Sequence, residues 1–186
     1  MFVTSLSARI GQVTRLAVAV IALVTLVGCS GLPFGAGGSS GKDFSIVAYQ
    51  GDDLLGGKQS KFTDVFRQKK PVVLNFWAGQ CPPCRAEMPE FQKVADEYEG
   101  KVIFVGIDVG PFTGLGNHDE ARRLLDELGI KYPAAYAVDA SPLQPFSVKA
   151  MPTTVYLTAD GNVRSTVNGI VREAQLRSEL DALLKS

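Results

Sequence analysis

Histidine and tryptophan occur once each in these 186 residues, and cysteine only three times. A single histidine excludes a histidine-rich metal site, and three cysteines are too few for the disulfide framework of a small secreted scaffold. Charge of one sign is missing too, since 19 basic residues balance 19 acidic ones. Chains that bind nucleic acid carry a basic excess or stripe, so that class is excluded. Residues 16–27 are the most apolar stretch but stop at Gly28-Cys29, short of the roughly 20 residues that span a bilayer as a helix. The glycine-rich residues 110–116 lack the Gly-Lys-Ser/Thr ending of a phosphate loop, so nucleotide binding is not indicated. At 46% apolar and 20% charged, the composition is that of a globular protein, and the length suits one domain.

What is present centres on residues 76–89, FWAGQCPPCRAEMP. Residues 71–76 are β-branched and aromatic and of strand length, and residues 87–100 read as a helix. Cys81 and Cys84 therefore fall at a strand-to-helix turn, where unpaired backbone N–H groups and the helix dipole favour a thiolate. The pair could be redox-active, half of a metal site or a structural disulfide. A structural zinc needs four protein ligands, which two thiols and one histidine do not supply. A disulfide closing so short a loop gains little chain entropy. The redox reading is preferred, with Cys81 at the exposed helix start as the attacking thiolate and Cys84, one turn inside, as the resolving thiol. Glu87, three residues past Cys84, shares its helical face. It is either a proton carrier for the pair or an exposed glutamate favoured by the dipole.

Elsewhere the patterns alternate between strand and helix. Residues 44–49 and 59–62 read as strands separated by glycine turns, residues 63–68 as a short helix, and residues 86–98 as a helix with one apolar face. The near-continuous apolar run 101–108 reads as a strand covered by helices on both faces. Residues 109–117 read as a loop, and residues 119–128 as a helix ended by Gly129. His118 is expected to face solvent or to help cap that helix. Residues 132–138 are a further strand, 153–158 and 163–169 an antiparallel hairpin across Asp160-Gly161, and 172–184 a closing helix.

The residues FWA, the Cys-x-Pro-Cys spacing and the following Glu-Met-Pro resemble the active-site segment of thioredoxin-fold thiol:disulfide oxidoreductases, in particular the extracytoplasmic TlpA/ResA-like branch. Met151-Pro152-Thr153-Thr154 resembles that family's cis-proline loop, and residues 159–162 its following hairpin turn. The resemblance spans residues 43 to 184. It implies an α/β thioredoxin-like fold, a mixed central sheet flanked by helices with an N-terminal β-hairpin extension. It implies a redox-active Cys81–Cys84 disulfide, a catalytic Glu87, and a substrate surface formed by Trp77, Gln80, Met151 and Pro152. The Met151 backbone would pair with an extended substrate strand. Gln80 departs from the pattern, which usually has tryptophan before the first cysteine. Asn75 stands where thioredoxin carries a buried aspartate and cannot shuttle protons. Pro82 is an addition to the usual proline at the position of Pro83; it removes an N–H beside the Cys81 sulfur, which favours a reductase.

At the N-terminus, Arg9 and Arg15 precede the apolar stretch as in an export signal. Leu26-Val27-Gly28-Cys29 resembles the bacterial lipobox, implying cleavage before Cys29 and its acylation. Removal of residues 1–28 leaves 17 basic and 19 acidic residues. Residues 29–42 would form a flexible tether and residues 43–186 the working domain. The expectation is a monomeric reductase of protein disulfides, lipid-anchored to a bacterial membrane in the cell envelope. It would be served by a membrane or extracytoplasmic redox partner, with cytochrome c maturation as one fitting setting and with no cofactor, metal or nucleic acid. The alternatives are a thiol peroxidase of peroxiredoxin type and a non-enzymatic, metal-carrying lipoprotein.

Overall fold

A computed structural model describes residues 42–185. The expected export signal, Cys29 and all of the tether before Lys42 lie outside the described residues. Seven strands among those described form one mixed sheet in the order β2-β1-β5-β4-β3-β6-β7. Strands β1 (Ser45–Gln50) and β2 (Gln59–Lys61) form the N-terminal hairpin, and a 3-10 helix, Phe62–Gln68, follows. Strand β3 (Val72–Trp77) is central, parallel to β4 (Ile103–Asp108) on one side and antiparallel to β6 (Thr153–Leu157) on the other. Strand β5 (Ala134–Ala137) joins β4 to β1, and β7 (Val163–Asn168) closes the far edge. The helices are α1 (Pro82–Glu97), a one-turn α2 (Gly110–Thr113), α3 (His118–Leu128) and α4 (Glu173–Leu183).

Strand alternation sorts β3 into two cores. Val73 and Trp77 join Met88, Phe91 and Val94 of α1, Leu124 and Leu125 of α3, and Leu176, Leu180 and Leu183 of α4. Val72, Leu74 and Phe76 face the other way, against Phe44, Phe62, Val65 and Phe146. Both faces of β3 and β4 are buried, which is why these strands read as continuous apolar runs. The second face, however, is covered by the 3-10 helix and the turn segment around Phe146 rather than by a long helix. Burial of each large side chain here contributes roughly 1.5–3 kcal/mol.

Helix α1 begins at Pro82, directly after Cys81 as expected from the strand-to-helix turn; prolines at its first two positions pre-set φ where no N–H has an intrahelical partner. One expectation for the elements changes. The segment read as a loop contains the short helix α2, ended by Gly114 at φ 71°.

Candidate active site

Helix α1 leaves the C-terminal end of β3 through the turn Ala78-Gly79-Gln80, and Cys81 is its N-cap residue. Cys81 and Cys84 are joined as a disulfide. An N-cap side chain accepts from the second or third helical N–H. The second belongs to Pro83 and does not exist, so the Cys81 sulfur accepts only from the Cys84 N–H, at 3.2 Å. This geometry corrects the expectation for Pro82. Standing at the first helical position, it removes an N–H that would point away from the cap, whereas Pro83 removes one that would reach the sulfur. Pro83→Ala is therefore expected to stabilise the thiolate. A hydrogen bond to a charged group is worth roughly 1.5–3 kcal/mol, which corresponds to a fall of about one to two pKa units and a rise of about 30–60 mV in potential. Pro82→Ala should leave both near wild type. Thiolate absorbance and equilibration with glutathione measure the two quantities, and equal shifts in both variants would refute the assignment.

Cys81 is 3% exposed and Cys84 fully buried, so the expected open position of Cys81 is corrected: both sulfurs belong to the helical-face core. Of the two residues only Cys81 keeps any solvent exposure. Exchange begins at the sulfur that an external thiol can reach.

Glu87 is completely buried, which rules out its reading as an exposed glutamate. Its Oε1 accepts from Asn75 Nδ2 at 2.8 Å and its Oε2 from the Val171 N–H at 2.9 Å. Burial pushes the carboxyl up to about 7; those two hydrogen bonds and the Arg172 charge pull the other way without prevailing. Asn75 is held by Thr154 Oγ1, 3.2 Å from its Nδ2. Asn75 Oδ1, Trp77 Nε1, Tyr132 Oη and Tyr156 Oη are buried without a hydrogen-bond partner among the described residues. Burial first, and then the Glu87 charge, raise the Tyr132 phenol; burial, then the Glu179 charge and then that of Glu87 raise Tyr156. Behind the disulfide lies a cluster of buried polar groups inside an apolar core, an arrangement that costs stability and is typical of functional sites.

Of the expected substrate surface, Trp77 is corrected. It is fully buried, with its indole against Gly106, where a Cβ would stand 2.8 Å from Nε1. It supports the turn from below and offers nothing to a docking chain. Gln80 is exposed, its N–H bonded to the Leu115 carbonyl at 2.7 Å and its side-chain amide to Glu120 Oε1. Gly79 is required beside it, since a Cβ there would meet the Ala121 nitrogen at 2.5 Å. The Met151–Pro152 bond is cis. Met151 is partly buried and makes no backbone hydrogen bond within the described chain.

His118 does not cap α3. Asn117 does, accepting from the Asp119 and Glu120 N–H groups at 3.0 and 3.1 Å. The His118 Nδ1 lies 3.1 Å from the buried Asp108 Oδ2 and 3.0 Å from the Tyr49 hydroxyl, and the ring stacks on Tyr136. Val171, Arg172 and Glu120 join the site without a signal in the sequence, and Thr154 is legible only as part of the cis-proline loop, not as a partner of Asn75. Each acts through a partner at least twelve residues away or through a backbone group, and neither leaves a local pattern.

Comparison with known proteins agrees with this geometry. The Redoxin family model matches residues 37–184. Thioredoxin-like protein YneN of Bacillus subtilis (strain 168) is 29% identical over 146 residues, which cover 77% of this chain and 78% of that protein. The thiol-disulfide oxidoreductase ResA of Bacillus thuringiensis (strain Al Hakam) is 26% identical over 175 residues, covering 92% of this chain and 95% of that one. The exposed lipoprotein thioredoxin Etrx1 of Streptococcus pneumoniae strain TIGR4 superposes with a TM-score of 0.63 at 21% identity, over 76% of this chain and 99% of that one, and shows the thioredoxin-like fold. Since the matched residues run from ahead of β1 to the end of α4 and take in both the Cys81–Cys84 turn and the Met151-Pro152 loop, the chain belongs to the Redoxin family and is a thiol:disulfide oxidoreductase.

Proposed function

We propose that this oxidoreductase works as a reductase of protein disulfides outside the cytoplasm, tethered to a membrane through an acylated Cys29. The observation that carries the direction is the single backbone donor on the Cys81 sulfur. A thiolate with few donors is little stabilised, so the dithiol gives up its electrons readily. In the working cycle the Cys81 thiolate attacks a substrate disulfide, breaking that S–S bond and forming a mixed disulfide, and the released substrate sulfur takes up a proton. Cys84 then loses its proton to Glu87, one turn away on the same face of α1, and attacks the Cys81 sulfur. The second substrate thiol leaves protonated, and two electrons have passed to the substrate while the Cys81–Cys84 disulfide forms. The free Met151 backbone holds an extended substrate segment, with Pro152 and Gln80 at its margins. A membrane or extracytoplasmic dithiol partner restores the reduced pair, and apocytochrome c is one fitting substrate.

In this reading residues 1–28 are an export signal, residues 29–42 a tether, and residues 43–186 a monomeric catalytic domain. No helix among the described residues is long and apolar enough to cross a membrane, and several acyl chains on Cys29 would give the stable attachment that one chain does not. The mature protein is expected to carry acyl mass on Cys29, to lose it in Cys29→Ala, and to reduce insulin disulfides when supplied with dithiothreitol. Absence of acyl mass would refute the tether. Consumption of peroxide without insulin reduction would instead favour a peroxidase.

A further inference from the structure

We infer that a polar cleft beside Cys81 reads the substrate chain next to its reactive cysteine, and that Arg123 selects an acidic residue there. The inference rests on the exchange reading above. The cleft, of about 290 Å³, lies between the redox turn and α3 and is lined by Gly79, Gln80, Arg85, Glu120, Arg123 and Glu127. It adjoins the Cys81 backbone: Gln80 directly precedes Cys81, and the Arg85 N–H bonds the Cys81 carbonyl at 3.0 Å. A substrate joined to Cys81 in the mixed disulfide continues as extended chain at about 3.3 Å per residue. Its second and third residues from the cysteine therefore fall about 7–10 Å away, within reach of this cleft.

The charges of the cleft are unequally available. Glu120 has both oxygens engaged, Oε2 by the Asn117 N–H at 2.8 Å and Oε1 by the Gln80 amide; these two bonds, with a smaller through-space contribution from the Arg123 charge, hold its carboxyl below the usual carboxylate range. Glu127 is paired with Arg85. Arg123 is exposed and makes no hydrogen bond or ion pair among the described residues. It lies three residues past Glu120 and four before Glu127, on one face of α3. Each carboxylate thus already has a bonded partner, whereas the Arg123 guanidinium fork remains to receive a planar carboxylate in two parallel hydrogen bonds. A basic substrate residue would instead have to compete with Arg85 for Glu127 and with the Gln80 amide and the Asn117 N–H for Glu120.

The test uses the reduced catalytic domain within the full-length protein, dithiothreitol as the dithiol reductant, and three peptide disulfides. These differ only in bearing Asp, Ser or Lys two residues from the cysteine. The wild type is expected to prefer the Asp peptide over the Ser peptide in kcat/KM by about threefold to fivefold at low salt, as for an exposed ion pair, and the preference should shrink as salt is added. Arg123→Gln should abolish the ratio, and Arg123→Glu should reverse it in favour of the Lys peptide. Equal kcat/KM for all three peptides in the wild type would overturn the inference, as would a ratio unchanged in either variant. Failure of the wild type to reduce any of the peptides would instead overturn the exchange reading itself.

Discussion

Cys84→Ala is expected to stop turnover and to accumulate as a mixed disulfide between Cys81 and its protein substrate. The attacking sulfur is retained at the helix cap, so the first exchange still occurs. The buried thiol that would resolve it is gone, and nothing else among the described residues can replace it, because the pair holds both of their cysteines. Cys81→Ser should form no adduct, since Cys84 is fully buried. Neither variant should unfold. Chain-entropy reasoning limits the stabilisation from so short a disulfide loop to about 2 kcal/mol at most. Non-reducing electrophoresis of cell extracts followed by mass spectrometry reads the result and also identifies the substrate. An adduct carried by Cys84, or adducts equally abundant in both variants, would reverse the roles assigned to the two sulfurs.

Glu87→Gln should remove an inflection near pH 7 from the rate of disulfide exchange and flatten the pH dependence of stability below it. The carboxyl has its folded pKa raised from 4.5 to about 7, so the sign is fixed. Stabilisation by its protonated form is complete below about pH 4.5 and is lost as pH rises through 7. The loss approaches roughly 3 kcal/mol, since each tenfold change in proton affinity on folding is worth about 1.4 kcal/mol. Wild type should therefore lose stability relative to the variant between pH 4.5 and pH 8, as read by urea denaturation of the oxidised forms. The substitution fits the site. The new carbonyl keeps the Val171 N–H, and the new amide can donate to Asn75 Oδ1, which has no partner now, once the Asn75 amide turns over. If stability and exchange rate followed the same pH course in both proteins, Glu87 would carry no proton for the pair.

The unequal legibility of these two sites has a physical cause. The cysteines declare themselves by type and spacing, and their place between an apolar strand and a helix follows from local periodicity. Glu87 can be put on the face of Cys84 by the helical repeat alone. Whether that face meets water or protein depends on Asn75, twelve residues earlier, and on Val171, 84 residues later. Trp77 shows the converse. Its position next to the turn suggests a docking surface, yet strand alternation and the missing side chain of Gly106 on the neighbouring strand sink it into the core. His118 escapes a local reading for a similar reason, since its partners Asp108, Tyr49 and Tyr136 come from three different strands or their ends.

The sequence by itself determined the family of chemistry, the strand and helix order, the antiparallel hairpin after Pro152 and the face on which Glu87 lies. All of these are encoded by residue type and by repeats of two or 3.6 residues along the chain. Only the tertiary structure decided that one donor is left for the Cys81 sulfur and that Glu87 is buried with its carboxyl pushed up to about 7. It likewise decided that Gln80 is strapped to α3 and that Arg123, without a hydrogen-bond or ion-pair partner among the described residues, lines the cleft next to the redox turn. Those outcomes depend on which remote backbone and side-chain groups are packed against a residue, and the energy of a buried or unpaired charge is set by its surroundings in space rather than by its neighbours in sequence.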